Sequence, residues 1–182
     1  MLRVCFFILV LLSTYHVNSQ DKVVAKWHLG IEADALPYAT GGYFAAIWAG
    51  KKHVRVRALT ARVYKPNFIT DKNFINNNIT AYAITTDYFF KPNWKGLWLA
   101  AGLVYWKSSI QSATSPEIAN FNNGLVNGSA GFNIRLYKHL YLSPWAGIST
   151  RVAGDKNVVV GNKAFHQPFF NPEASLKIGF YW

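Results

Sequence analysis

After residue 20, the apolar residues of this chain come in short segments that alternate with polar or small ones. No run there approaches the roughly 18 apolar residues that a membrane-spanning helix needs. The pattern is clearest late in the chain. Val126, Ala130, Phe132, Ile134 and Leu136 share one parity, and Asn127, Ser129, Gly131, Asn133 and Arg135 share the other. Leu140, Leu142, Pro144, Ala146 and Ile148 oppose Tyr141, Ser143, Trp145, Gly147, Ser149 and Arg151. In 174–182, Ala174, Leu176, Ile178, Phe180 and Trp182 oppose Ser175, Lys177, Gly179 and Tyr181. A period of two is the signature of a strand with two unlike faces. In a bilayer, strands are viable only when they close into a barrel, because every backbone group must find a partner within the protein.

Earlier segments extend the count to eight strands. Strand one is expected over 25–33, with Trp27, Leu29, Ile31 and Ala33 on one face. Strand two covers about 42–49 and is apolar or small on both faces. Strand three begins near Val54 and poses a problem of phase. Arg55 and Arg57 share a face, yet Leu59, Ala61 and Val63 continue the same parity. Either a bulge near Ala58 shifts the register, or the arginines lie at a membrane interface and snorkel. Strand four is expected over 79–89, with Tyr82, Ile84, Thr86 and Tyr88 opposite Ala81, Ala83, Thr85 and Asp87. Strand five, 97–106, is ambiguous in facing.

The connections alternate in length. Residues 50–53, 91–96 and 138–139 read as tight turns. Residues 65–78, 107–123 and 154–173 read as long loops rich in Asn, Ser, Lys or Gly, and 36–41 is a shorter loop on the same side. Short turns at one end and long loops at the other suit a transmembrane barrel. An even strand number puts both termini at the short-turn end.

Residues 1–20 have the layout of a cleaved signal peptide: Arg3, then the apolar run 4–12, then the polar stretch 13–20. The run is too short to span a bilayer. Cleavage is expected near Ser19 or Gln20. The one cysteine, Cys5, falls inside the run, so the mature chain has no thiol or disulfide chemistry. Residues 21–182 then form one domain of about 160 residues. Aromatic residues make up 16% of the chain, with seven Trp, which suits a protein with aromatic belts at membrane interfaces.

The last strand, closing on Ile178, Phe180 and Trp182, resembles the C-terminal signature by which outer-membrane β-barrels are recognised for assembly. The strand count and loop pattern over the whole mature chain resemble the small eight-stranded barrels of that class. The resemblance implies an all-β, closed antiparallel up-and-down barrel in the outer membrane of a Gram-negative bacterium. Its implied partners are the assembly machinery and outer-membrane lipid or lipopolysaccharide. The net charge of +11 would suggest nucleic acid in a cytosolic protein. With an export signal, it suits anionic head groups instead, or charges scattered over loops, turns and lumen.

Eight strands leave an interior just wide enough for side chains. The expected polar network of that interior is Glu32, Asp34, Arg55, Arg57, Asp87, Asn133, Arg135 and Lys177. Such buried charges must be paired, and they would plug the lumen. A narrow, gated, anion-favouring passage is the alternative. Two enzyme families are built on such barrels. A lipid A deacylase-like site needs His-x-Ser on one strand face, and a lipid A palmitoyltransferase-like site uses an Asp-Ser pair. Neither sequence occurs. His28, His53, His139 and His166 are isolated, without the spacing of a metal site, and no cofactor motif is present. The expectation is therefore a non-enzymatic barrel with a structural or surface-interaction role and no legible external ligand. The aromatic cluster Phe165, His166, Phe169 and Phe170 in the last long loop is a candidate surface-contact patch.

Overall fold

The computed structural model describes residues 26–182; the expected signal peptide at 1–20 lies outside the described residues. Eight antiparallel strands close into a barrel, each paired with its neighbours in sequence. They are β1 (His28–Asp34), β2 (Tyr43–Lys51), β3 (Val54–Tyr64), β4 (Phe74–Phe89), β5 (Gly96–Ser112), β6 (Ile118–Tyr137), β7 (Leu140–Gly154) and, after a small hairpin, β10 (Phe170–Tyr181). β1 bonds to both β2 and β10, which closes the ring. The hairpin β8 (Asn157–Val160) and β9 (Lys163–His166) forms its own two-stranded sheet.

At one end, the connections are 52–53, 90–95 and 138–139. Lys52 takes a positive φ of 54° to close the first of them. The other end carries the larger excursions. A short helix α1 (Ala35–Ala39) follows β1, and the Asp34 side chain caps it by accepting from the Leu36 amide.

The strands run well beyond the sequence-based boundaries. β4 starts at Phe74, and β5 and β6 together take up most of the expected loop 107–123, leaving 113–117 as the connection. Polar composition read as loop here, but these residues lie above the apolar band, where both faces of a strand tolerate Asn and Ser. The expected loop 154–173 likewise contains β8, β9 and the start of β10.

Strand three has neither a bulge nor snorkelling arginines. Its pairing with β2 and with β4 is continuous over its whole length. Arg55, Arg57 and Ala61 are all buried on the inward face, with Leu59 half-buried between them. The phase never changes. The lining of the barrel itself changes, from charged near the tight turns to apolar above them. β5 also resolves: Trp98, Ala100 and Val104 point in, and Leu97, Leu99 and Leu103 point out.

The interior near the tight turns is filled by Trp48, Phe89, Trp94, Trp98, Tyr141 and Tyr181. Three of these rings lie over glycines that are their direct cross-strand partners: Trp48 over Gly30, Trp98 over Gly131 and Tyr141 over Gly179. A Cβ built on Gly131 would stand 2.4 Å from Trp98 Cζ2. A ring packed flat over a cross-strand glycine replaces the missing side chain and pins the register. Gly131→Ala is expected to cost about 1–3 kcal/mol through overpacking. Urea unfolding in lipid vesicles measures this, with Gly128→Ala, which has open space around it, as the near-neutral control.

Candidate functional site

The geometry of the lumen begins with a two-residue spacing. Arg55 and Arg57 lie on one face of β3 and therefore both project inward. Arg55 pairs across the ladder with Asp87 of β4, and β1 presents Glu32 to the same space. The four side chains form a closed ring of charge. Arg55 Nε donates to Asp87 Oδ2 at 2.7 Å, and its Nη1 lies 2.9 Å from Glu32 Oε1. Arg57 Nη1 donates to Glu32 Oε2 at 2.7 Å and Nη2 to Asp87 Oδ1 at 2.7 Å. Each carboxylate thus receives both guanidiniums, and the ring is neutral. All four residues are almost completely buried.

Neutral groups complete the ring. Tyr141 donates its hydroxyl hydrogen to Glu32 at 2.6 Å and accepts from Trp48 Nε1 and Arg55 Nη1. Thr85 Oγ1 accepts from Arg57 Nε at 3.3 Å. The Arg55 guanidinium lies over the rings of Trp48 and Phe89, 4.9 and 5.0 Å from their centroids, and Arg57 lies over Trp98 at 5.6 Å. Buried ions need this density of partners, because their desolvation cost is recovered only when nearly every donor and acceptor is engaged.

The remaining residues of the expected network lie elsewhere. Asp34 is buried but takes no part in the ring; it accepts from Trp145 Nε1 at 2.8 Å, from Ser175 Oγ and from the Leu36 amide. Its carboxylate caps α1, which draws it away from the arginines. Lys177 is buried with its ammonium over Trp145 at 4.1 Å and Trp98 at 5.2 Å. Among the described residues, no carboxylate lies within 4 Å of it. Asn133 is buried near the tight-turn end, with its Oδ1 unpartnered. Arg135 lines the mouth of the lumen beside Arg55, Asn133 and Tyr141 but takes no part in the ring. It reaches the rim, donates to the Asn93 carbonyl at 2.8 Å and lies over Tyr181; its position in the last turn of β6 puts water within reach.

The outward face has its own pattern. Tyr82 and Tyr105 are cross-strand partners on β4 and β5 near the long-loop end, Arg62 and Lys107 lie one step above them, and Tyr43 on β2 stands directly opposite Arg62. Tyr88, Phe90, Tyr137, Phe180 and Trp182 are exposed near the tight turns. Between these belts the exposed side chains are aliphatic, Ile47, Ile84, Leu99 and Leu103 among them. From Tyr82 to Phe90 the chain covers nine residues, within reach of the about 9–11 of a tilted spanning strand.

The aromatic loop cluster divides. Phe165 is buried, edge-on to Phe74 at 5.2 Å, in an apolar cluster with Ile110, Phe121, Val158 and Val160. It is therefore no surface contact: the long β4–β6 ladder provides a wall against which the hairpin folds. His166 is exposed and bonded to Asn157. Phe169 and Phe170 are exposed and pack edge-on at 4.7 Å. Sequence reasoning missed the inward placement of Trp48, Trp94 and Trp98, having reserved tryptophan for the interface. The available signal was the small residue facing two of them across the ladder.

The sequence matches no protein-family model, and no curated protein is similar enough to match. The fold is similar to that in the crystal structure of Neisserial surface protein A (NspA), with a TM-score of 0.50 and 9% identity. The alignment covers 86% of this chain and 97% of that one. At that identity, the likeness is one of fold.

Proposed function

We propose that this chain is a non-enzymatic integral outer-membrane β-barrel with a structural or surface-interaction role, formed by residues 21–182 after removal of a signal peptide at 1–20. The observation that carries the reading is the inversion of the barrel. Aliphatic side chains such as Leu103, 69% exposed, and Ile47, 66%, cover its outside, while Arg55, Arg57, Glu32 and Asp87 are sealed within. A barrel with that outer face in water would expose a continuous apolar surface far larger than soluble monomers carry. In a bilayer the same face is solvated by lipid, and the two aromatic belts sit at the head groups.

The ion-pair ring and the aromatic layer beside it support a plugged lumen in place of a passage. Ile178, Phe180 and Trp182 are exposed on the outer face, where an assembly factor could read them. Arg62 and Lys107, above the tyrosine belt, suit the phosphates of outer-leaflet lipid. A surface protein is known on the same fold, which fits presentation of loops. The exposed pair Phe169 and Phe170, with His166, is the part of the last excursion free for such contact.

The protein is expected in the membrane fraction after high-salt and carbonate washing; recovery in the soluble fraction overturns the reading. Planar bilayers containing the purified barrel are expected to show no steady ion conductance, whereas reproducible anion-selective steps would favour a gated passage. Lipid A mass spectra from cells with and without the protein are expected to coincide. A changed acylation pattern would make it a lipid-modifying enzyme.

A further inference from the structure

A second polar cluster lies at the long-loop end of the barrel, apart from the ion-pair ring. It surrounds a small cleft that opens toward the long-loop end. Trp106, Phe121 and Phe165 form apolar walls, and two cations, Lys65 and Arg151, line the cavity. Among the described residues, neither cation has a carboxylate within 4 Å, since all the ion pairs there belong to the ring. Arg151 is only 9% exposed. Its Nη1 makes a long bond of 3.4 Å to the Gly154 carbonyl, and its Nε has no partner. The Lys65 ammonium lies over the Trp106 ring at 5.6 Å. Burial pushes that ammonium below its ordinary pKa, only partly offset by the field of Glu173.

Two further groups in the lining are buried and unpartnered: the Ser108 hydroxyl and Asn123 Oδ1. The unpartnered groups of the lining are therefore a guanidinium N–H, a hydroxyl and one amide oxygen, with the Lys65 ammonium beside them, while Asn77, Gln167 and Asn171 complete the polar lining. Arg151, buried without a carboxylate partner, carries a desolvation cost that a bound anion relieves, whereas Lys65 has the field of Glu173 as partial compensation. Tetrahedral oxyanions suit this set best, accepting from several directions while a hydroxyl of their own donates to Asn123. The aromatic walls keep competing water low.

We propose that the cavity between Lys65 and Arg151 binds one small oxyanion of the phosphate type, either free or carried on a sugar. The β8–β9 hairpin, anchored by Phe165, Val158 and Val160, forms one side of the pocket. The site does not depend on the membrane reading, because its residues line the inside of the barrel and its last long excursion, and the test runs in detergent micelles.

Isothermal titration of the refolded barrel with inorganic phosphate, against sodium chloride at matched ionic strength, tests it. Saturable heat is expected with phosphate alone. Arg151→Gln is expected to weaken binding about tenfold or more, the loss of one charge-assisted contact, and Arg151→Lys to weaken it less. Arg135→Gln, at the opposite end of the barrel, is expected to bind like the wild type. Heat-modifiable gel mobility establishes that each variant is folded. Should Arg151→Gln fail to fold, Lys65→Gln, outside the strands, carries the same expectation. Glucose 1-phosphate binding tighter than phosphate assigns the sugar-borne source, and equal or weaker binding assigns the free anion. Chloride-like, unsaturable heats, or folded Lys65→Gln and Arg151→Gln proteins that bind phosphate like the wild type, would overturn the proposal.

Discussion

Asp87→Ala is expected to destabilise the folded barrel by about 3–5 kcal/mol, the cost of removing one partner from a buried ion pair. The loss is large because each carboxylate serves both guanidiniums. Without Asp87, Arg55 loses its bond at Nε and Arg57 its bond at Nη2. Two buried cations then face Glu32 alone, and Lys177 adds a third positive charge nearby. Neither arginine can move to water, because β3 fixes both side chains on the inward face and the aromatic layer closes the route past Trp48 and Phe89. Replacing the whole ring, as Glu32→Leu, Arg55→Met, Arg57→Met and Asp87→Leu together, is expected to cost less than Asp87→Ala alone. The quadruple variant removes both arginines together with both carboxylates, leaving Lys177, over Trp145 and Trp98, as the one buried cation of that layer, and apolar replacement of buried ion networks is often neutral or stabilising. Tyr141 would lose its acceptor, which sets a residual cost of about 1–3 kcal/mol. Urea unfolding in lipid vesicles, followed by tryptophan fluorescence, ranks the three proteins. A loss below about 1 kcal/mol for Asp87→Ala would mean that water reaches the ring, and the plugged lumen would fail with it.

How far the chain could be read from its letters depended on what lines the barrel at each height. In 126–136 of β6, and in β7 and β10, the inward residues are small, polar or amphipathic and the outward ones mostly apolar, so parity alone gives the facing. In β2 and β5, both parities are apolar, because Phe44, Trp48 and Trp98 fill the lumen where water would otherwise enter. Periodicity carries no information there. β3 is the instructive case: Arg55 and Arg57 followed by Leu59 and Ala61 on one face look like a break in phase. They are a cross-section through a layered interior, charged near the tight turns and apolar above. Only the cross-strand partners reveal the layering, and one strand's sequence cannot supply Glu32 from β1 or Asp87 from β4.

The candidate sites divide for the same reason. The two arginines and their carboxylates were legible as a set because eight strands enclose too little space for unpaired charge. Asp34 and Arg135 were not separable from them by parity, since leaving the ring depends on a helix cap in one case and a rim position in the other. Phe165 read as a loop aromatic because nothing in 154–173 reveals that β4, β5 and β6 rise far enough to receive it. The cavity at Lys65 and Arg151 was invisible for a similar reason. Those residues are distant in sequence, and only closure of the barrel brings both to one cleft.

Tyr181 and Trp182 are neighbours in sequence with opposite fates, and their substitution should separate stability from assembly. Tyr181 points inward, where it meets His28, Trp94 and His139 edge-on at 5.8, 5.6 and 5.1 Å and supports Tyr141. Tyr181→Ala is expected to cost about 3–5 kcal/mol, the usual loss for a large aromatic removed from a packed core. Trp182 is 56% exposed on the outer face, 6.3 Å from Phe180, and its amide donates to the Leu29 carbonyl. Trp182→Asp keeps that backbone bond and empties no cavity. In purified, refolded protein, its cost is expected to stay within about 1–2 kcal/mol, the depth-dependent penalty for Asp near a membrane interface. In cells the order should reverse under the proposed role of the outer row: Trp182→Asp is expected to leave the larger unassembled fraction, scored as the species without heat-modifiable mobility, because the proposal makes Ile178, Phe180 and Trp182 the row that an assembly factor reads. Tyr181→Ala should assemble and then unfold at lower urea. If both variants assemble equally well in cells, the outer row carries no assembly signal. If Trp182→Asp is also the less stable of the two after refolding, its defect is one of the barrel itself.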